Sequence, residues 1–150
     1  MLLRKDAEFC WGKDQQLVFG KIKMLISQSP VLRAFSNSVL CIIHTDASSY
    51  GLWAVLSQGT YKNHWAVAFA SRTLTDTDRR YSVIEKELLG CVWAVEYFRP
   101  YIWGTTFILN TDHKPLVSIL SAGGGKSSKA RIARLWSRLQ ECHFKVNFVP

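Results

Sequence analysis

The run Val39-Leu40-Cys41-Ile42-Ile43-His44-Thr45, stopped at once by Asp46, constrains the fold more than any other stretch of the chain. A short continuous apolar run rich in branched residues predicts a central strand buried on both faces of a sheet. The residues that follow indicate how the sheet begins. Turn residues Ser48-Ser49-Tyr50-Gly51 lead into a strand from Leu52 to Leu56, and a turn at Gly59 leads into another from Trp65 to Ala70. Three strands joined by short turns predict an antiparallel meander.

The period then changes. Thr73 to Arg80 is rich in loop and capping residues, after which Ile84, Leu88, Cys91, Val95 and Phe98 recur at intervals of four and three. That stripe predicts an amphipathic helix from about Ser82 to Phe98, closed by Arg99-Pro100. A strand from Phe107 to Thr111 stops at Asp112, and Pro115 opens a short helix to about Leu120. Beyond Gly123-Gly124-Gly125, a basic amphipathic helix is expected from Lys129 to Cys142 and a last strand from Phe144 to Val149. Upstream, Leu17, Ile22 and Leu25 predict a helix over residues 14–27, capped by Asp14 and ended by Ser29-Pro30. The order is that of a mixed α/β sheet with flanking helices.

Two strands end alike, at Thr45-Asp46 and Thr111-Asp112. If they are neighbours, both carboxylates emerge at one sheet edge, where α/β sheets tend to hold ligands. On the helix, at about 100° per residue from Ile84, Glu87 falls about 60° away and borders the buried stripe, while Glu85 falls about 100° away on the other side. Taken singly, Asp46 and Asp112 read as strand-ending turn residues and Glu87 as a salt-bridged helix acid. Together they would repel one another beside the core, a conflict that divalent cations remove. Oxygen ligands without His or Cys suit Mg²⁺ or Mn²⁺, and paired ions can stabilise both the attacking and the leaving oxygen of a phosphodiester.

Charge is divided along the chain. Residues 1–38 carry six basic and three acidic side chains, residues 39–120 seven of each, and residues 121–150 six and one. A neutral centre between basic wings suits a polyanion as partner, although solubility alone is another reading. Other classes are disfavoured. Cys10, Cys41, Cys91 and Cys142 form no C-x-x-C pair and have no His at zinc-finger spacing. Gly123-Gly124-Gly125-Lys126-Ser127 lacks the first glycine of a phosphate-binding loop, which would fall at Leu120. Glu96, Arg99 and Pro100 interrupt the most apolar stretch, so no membrane span is expected. Arg4-Lys5-Asp6 follow Met1 too closely for a signal peptide, which predicts an intracellular protein.

At these residues the sequence resembles a family, the ribonuclease H domain of reverse transcriptases from gypsy-like long-terminal-repeat retrotransposons. The matching motifs are Thr45-Asp46-Ala47-Ser48 with Tyr50-Gly51 and Ala54-Val55-Leu56-Ser57-Gln58; Ala70-Ser71-Arg72-Thr73-Leu74-Thr75; Tyr81-Ser82 with Glu85-Lys86-Glu87-Leu88-Leu89; Val92-Trp93-Ala94; Phe98-Arg99 with Tyr101; Thr111-Asp112-His113-Lys114-Pro115-Leu116; and Ala130-Arg131 leading to Leu139-Gln140. Residues 1–37 look like the end of the reverse transcriptase connecting region, and residues 38–150 like the ribonuclease H domain itself, stopping before its last helix. The resemblance implies a ribonuclease H-like fold and metal-dependent hydrolysis of the RNA strand of RNA/DNA hybrids, within a polyprotein that also holds the polymerase. It implies that Asp46, Glu87 and Asp112 are the catalytic metal ligands for two Mg²⁺ or Mn²⁺ ions, with Asp46 bridging them. A non-catalytic module of the same fold, binding nucleic acid or a protein, is the alternative.

Two departures bear on activity. The family usually has a fourth acid, an Asp beyond the last strand, and where relatives commonly have a second glycine this sequence has Trp53, on the strand face shared by Gly51 and Val55. The indole could pack harmlessly or obstruct a hybrid. On the basic helix, Arg131, Arg134 and Arg138 cluster on one side opposite Ile132, Leu135 and Leu139, which offers contacts for phosphates or an ordinary solvated face.

Overall fold

Branched and apolar side chains fill Cys41–Ala47, and in the computed structural model these residues form the middle strand of a five-stranded sheet. The structure describes residues 9–28, 31–60, 62–122 and 130–150, and it divides into two units, residues 1–33 and 34–150. The first unit contributes one helix, α1 (Lys13–Ile26). It starts one residue earlier than expected, because the Gln15 side chain accepts the Gly12 backbone N–H at 2.9 Å and fixes the entry there. Leu17, Ile22 and Leu25 lie at helical spacing but stay exposed, since a single helix has no second layer of its own to bury them. The expected stop at Ser29-Pro30 lies outside the described residues.

The second unit holds β1 (Cys41–Ala47), β2 (Gly51–Gly59), β3 (His64–Thr73), α2 (Asp76–Arg79), α3 (Val83–Tyr97), α4 (Arg99–Ile102), β4 (Thr106–Thr111), α5 (Lys114–Ser121), α6 (Ala130–Ser137) and β5 (His143–Phe148). The sheet order is β3-β2-β1-β4-β5. The first three strands form the antiparallel meander, while β4 runs parallel to β1 and β5 parallel to β4. Ile43 and Cys41 on one face of β1 join a core with Leu88, Cys91, Val92 and Val95 of α3. Ile42, on the other face, is also buried, at 2% exposure, so the central strand is covered on both sides as its composition predicts.

Strand limits differ from the sequence-based expectation where pairing carries polar residues into the ladder. β1 runs on through Asp46, because Asp46 is held in register opposite Trp53 of β2. β2 extends through Ser57 and Gln58; Gln58 is fully buried, and its amide accepts the Ser36 N–H at 2.8 Å and donates to the Ser36 and Val39 carbonyls at 2.7 and 3.0 Å. These three bonds satisfy an amide that would otherwise be costly to bury. At Gly59, φ is +131° and an added Cβ would run into the Asn63 carbonyl, so the turn into β3 requires glycine.

Around the long helix, caps set the boundaries. Where a loop is expected, Thr75 Oγ1 accepts the Asp78 N–H at 3.2 Å and Asp78 accepts the Thr75 N–H at 3.1 Å, closing the single turn of α2. α3 then carries the expected stripe into the core, with Leu88, Cys91 and Phe98 at 0% exposure. Pro100 does not merely end it; with no N–H to lose, it sits in the first turn of α4. The basic helix is shorter than expected, because beyond Ser137 the backbone tightens into turns such as Leu139 N–H to Trp136 O at 2.9 Å. Its expected start at Lys129 and the glycines at 123–125 lie outside the described residues. Among the described residues no helix is long and apolar enough to cross a membrane.

Candidate metal centre

The parallel pairing of β1 with β4 sets Thr45 beside Thr111, so the next residues, Asp46 and Asp112, leave the same edge of the sheet side by side. Thr111 Oγ1 accepts the His113 N–H at 3.2 Å and fixes the chain as it turns from Asp112 into α5. The third acid comes from above. α3 packs on the end of β1, where the Thr45 hydroxyl and the Cys91 thiol lie 3.3 Å apart in the core. Burial pushes that thiol up to about 12, so Cys91 is a packing group and not a nucleophile. One turn before it on the helix, Glu87 reaches the sheet edge, and ligand atoms of Asp46, Glu87 and Asp112 all lie within 4.8 Å of one another.

The two buried glutamates of α3, Glu85 and Glu87, show which carboxylate has an unmet oxygen. Glu85 accepts the Ser82 N–H and hydroxyl at 2.8 and 2.9 Å and the Arg131 guanidinium at 3.1 Å. Burial alone would push its carboxyl up, but the Ser82 hydrogen bonds and Arg131 outweigh it and hold the carboxyl below the usual range. Glu87 is as deeply buried, at 6% exposure, yet its Oε2 finds no hydrogen-bond donor among the described residues. Its carboxyl is pushed up to about 7, first by burial and then by the charges of Asp46 and Asp112, offset in part by the Ala47 backbone N–H. A buried carboxylate oxygen with no donor, on a residue clustered with two further carboxylates, is an arrangement that a cation would compensate. Three hard oxygen donors without nitrogen or sulfur fit Mg²⁺ or Mn²⁺.

Asp46 and Asp112 line a cleft of about 230 Å³ whose walls also include His44, Trp53 and Asn110. The sequence singles out Trp53 only as a bulky departure. Its role at the site comes from the indole Nε1, which donates to Asp46 Oδ2 at 2.9 Å. His44 stacks on His64 with ring centroids 5.4 Å apart, and burial first, then His64, holds its pKa below the ordinary histidine value. Asn110, in register with His44, is 4% exposed and leaves its Oδ1 without a partner among the described residues. Both stand two residues before an aspartate of the cluster, so strand alternation was the available signal for them.

Of the three arginines expected on the basic helix, Arg131 and Arg134 lie on α6 and Arg138 follows its last residue, and Arg131 and Arg138 are engaged by acids outside the cluster. Arg131 pairs with Glu85 and lies 4.3 Å over the Tyr81 ring, and Arg138 grips Glu96 with two bonds of 2.7 and 2.5 Å. The first pair ties α6 to α3, and the second ties the turn after α6 to the same helix. Arg134 is exposed.

Residues 37–142 match the family described as the RNase H-like domain found in reverse transcriptase. The retrovirus-related Pol polyprotein from transposon 297 of Drosophila melanogaster is 40% identical over 131 residues, 87% of this chain and 12% of that protein. The Pol polyprotein from transposon 412 of the same organism is 33% identical over 99% of this chain, and the transposon Tf2-3 polyprotein of Schizosaccharomyces pombe 32% identical over 99%. The chain thus spans only 11–12% of these relatives. Among solved structures, the foamy viral protease-reverse transcriptase in complex with RNA/DNA hybrid superposes with a TM-score of 0.61 at 16% identity, over 96% of this chain and 20% of that one. RNase H1 from Halobacterium salinarum superposes at 0.56 and 14% identity, over 73% of this chain and 85% of its own. At such identities the likeness is one of fold.

Proposed function

Because this chain belongs to the RNase H-like domains found in reverse transcriptases, we propose that it hydrolyses the RNA strand of RNA/DNA hybrids by means of divalent cations held by Asp46, Glu87 and Asp112. The observation that carries this reading is the buried, unpartnered Oε2 of Glu87 within a cluster of carboxylates whose ligand atoms lie within 4.8 Å. Structural acids acquire donors, as Glu85 does from Ser82 and Arg131; the unmet demand at Glu87 suits a positive ion.

In this reading Asp46 and Asp112 supply oxygens from the sheet edge and Glu87 one from the helix, and Glu87 gives up its proton as an ion enters. Divalent cations held by these three acids would supply activation of a water for attack on phosphorus and stabilisation of the leaving 3′ oxygen, giving products with a 5′ phosphate. The cation charge also cancels the repulsion that the acids would exert on a phosphate. Arg131, Arg134 and Arg138 are assigned to the backbone of the hybrid, with Arg134 exposed and the other two partly engaged by α3. We assign residues 38–150 to this domain and residues 1–37 to the connecting region that joins it to the polymerase of the same polyprotein, acting inside the cell in which the element is copied.

The test is incubation with end-labelled RNA/DNA hybrid and Mg²⁺ or Mn²⁺. Cleavage of the RNA strand is expected, and Asp46→Asn is expected to abolish it. Absence of cleavage both by this chain and by a longer polyprotein segment containing it refutes the reading. Hybrid binding with a steep salt dependence but without turnover would instead establish a binding module, a reading favoured by the hydrogen bond that Trp53 makes to Asp46.

A further inference from the structure

Trp53 stands directly opposite Asp46 in the antiparallel β1–β2 register, and its indole Nε1 donates to Asp46 Oδ2 at 2.9 Å. An indole has one donor and no acceptor, so its whole polar capacity is committed to this carboxylate oxygen. The acceptor is a carboxylate, which makes the bond of the stronger, charge-assisted kind. Yet the side chain is not locked in place by burial. The indole is 43% exposed on the rim of the cleft that holds Asp46 and Asp112, so it can leave without opening the core.

The consequence concerns how many cations the centre takes and in what order. A first ion would be held by Asp46, Glu87 and Asp112, whose ligand atoms lie within 4.8 Å of one another, and Asp46 keeps a second carboxylate oxygen, Oδ1, for it while Trp53 holds Oδ2. Held by the indole, the Asp46 carboxylate does not have to lose rotational freedom when that ion arrives. A second ion sharing Asp46 meets a different situation. It must bind an oxygen that already accepts an N–H, and a cation and the positive end of the N–H dipole repel each other across that oxygen.

We propose that Trp53 is a positioning residue that orients Asp46 for a first divalent cation and opposes a second, so that the second ion enters only as the indole leaves Asp46 Oδ2. This rests on the metal-dependent reading above and adds to it an order of binding specific to this chain. A site with glycine at position 53 would offer both oxygens of the aspartate from the start. Trp53 therefore turns a two-ion centre into one that is half-filled at low metal concentration.

The proposal is tested by following the indole N–H signals in a ¹H–¹⁵N spectrum of the unsubstituted chain during Mg²⁺ titration, alongside calorimetric Mg²⁺ and Mn²⁺ binding to this chain and to Trp53→Phe. The Trp53 signal, identified by its absence from the variant, is expected to keep its hydrogen-bonded position through the first binding step and to move upfield in the second. Trp53→Phe keeps an aromatic ring but has no donor, and it is expected to bind the second ion about tenfold more tightly, equivalent to about 1.4 kcal/mol, with no gain for the first. Movement of the Trp53 signal with the first ion overturns the proposal, as does a second-ion affinity unchanged in Trp53→Phe. Because the spectrum is read on the unsubstituted protein, and direct assignment can replace the variant, the outcome does not depend on the variant folding. Failure of both proteins to bind either cation removes the metal-dependent reading itself, and this proposal with it, which distinguishes the two failures.

Discussion

Replacing Glu87 by Gln in metal-free protein changes a buried carboxyl into a neutral group of nearly the same shape, and its effect on stability follows from the surroundings of that carboxyl. Glu87 is 6% exposed and titrates at about 7 instead of 4.5, because burial and the charges of Asp46 and Asp112 all disfavour its ionised form. At about 1.4 kcal/mol for each pH unit between those values, ionised Glu87 costs the fold about 3 kcal/mol. The sign is set by proton uptake. Between 4.5 and about 7 the folded protein retains a proton that the unfolded chain has lost, so stability falls as pH rises through this window and is lowest above it. Glu87→Gln never ionises; at about pH 8 it is expected to be more stable by up to about 3 kcal/mol, or about 10 °C in Tm, and the advantage vanishes towards about pH 4.5. The assay is thermal unfolding followed by circular dichroism across this range with a chelator present, repeated with saturating Mg²⁺. Added Mg²⁺ should stabilise the unsubstituted chain and leave the variant nearly unchanged, since the ion removes the penalty only where the carboxylate exists. Parallel stability curves for the two proteins across the pH range, or equal stabilisation of both by Mg²⁺, would refute the reasoning.

Two further outcomes separate structural from functional side chains. Arg131→Ala is expected to destabilise the fold by about 1–3 kcal/mol in chemical denaturation, because it leaves Glu85 buried without its guanidinium partner; Arg134→Ala is expected to leave stability within about 0.5 kcal/mol and to lower only the salt dependence of hybrid binding. Equal stability of the two variants would show that the Arg131–Glu85 pair does not hold α6 to α3. Gly59→Ala is expected to lower stability by more than about 1 kcal/mol, since φ is +131° and the new methyl meets the Asn63 carbonyl; an unchanged Tm would contradict the turn geometry.

Much of this organisation was legible in the sequence because it is local. The continuous apolar run at 39–45 and the turn residues that follow it define the meander, the stripe from Ile84 to Phe98 defines the buried face of α3, and identical Thr-Asp endings mark the two strands that meet at the site. The helical angle also brings Glu87, and not Glu85, towards the sheet edge. Strand ends were less legible: β2 can carry Gln58 into the core because Ser36 and Val39, remote in sequence, satisfy its amide.

What the sequence by itself determined is therefore the kind of sheet, the buried face of its long helix and the three acids that converge. Tertiary structure alone decided the state of those acids. Glu87 Oε2 lacks a donor among the described residues while Glu85 has three, Asp46 gives one oxygen to Trp53, and Arg131 and Arg138 turn towards α3. The physical reason is that periodicity along one strand or helix fixes which way a side chain points. Whether a donor, a like charge or an opposite charge lies there depends on the register of β1 with β2 and on how α3 and α6 pack, interactions that link Arg131 and Arg138 to residues 46 and 42 positions away.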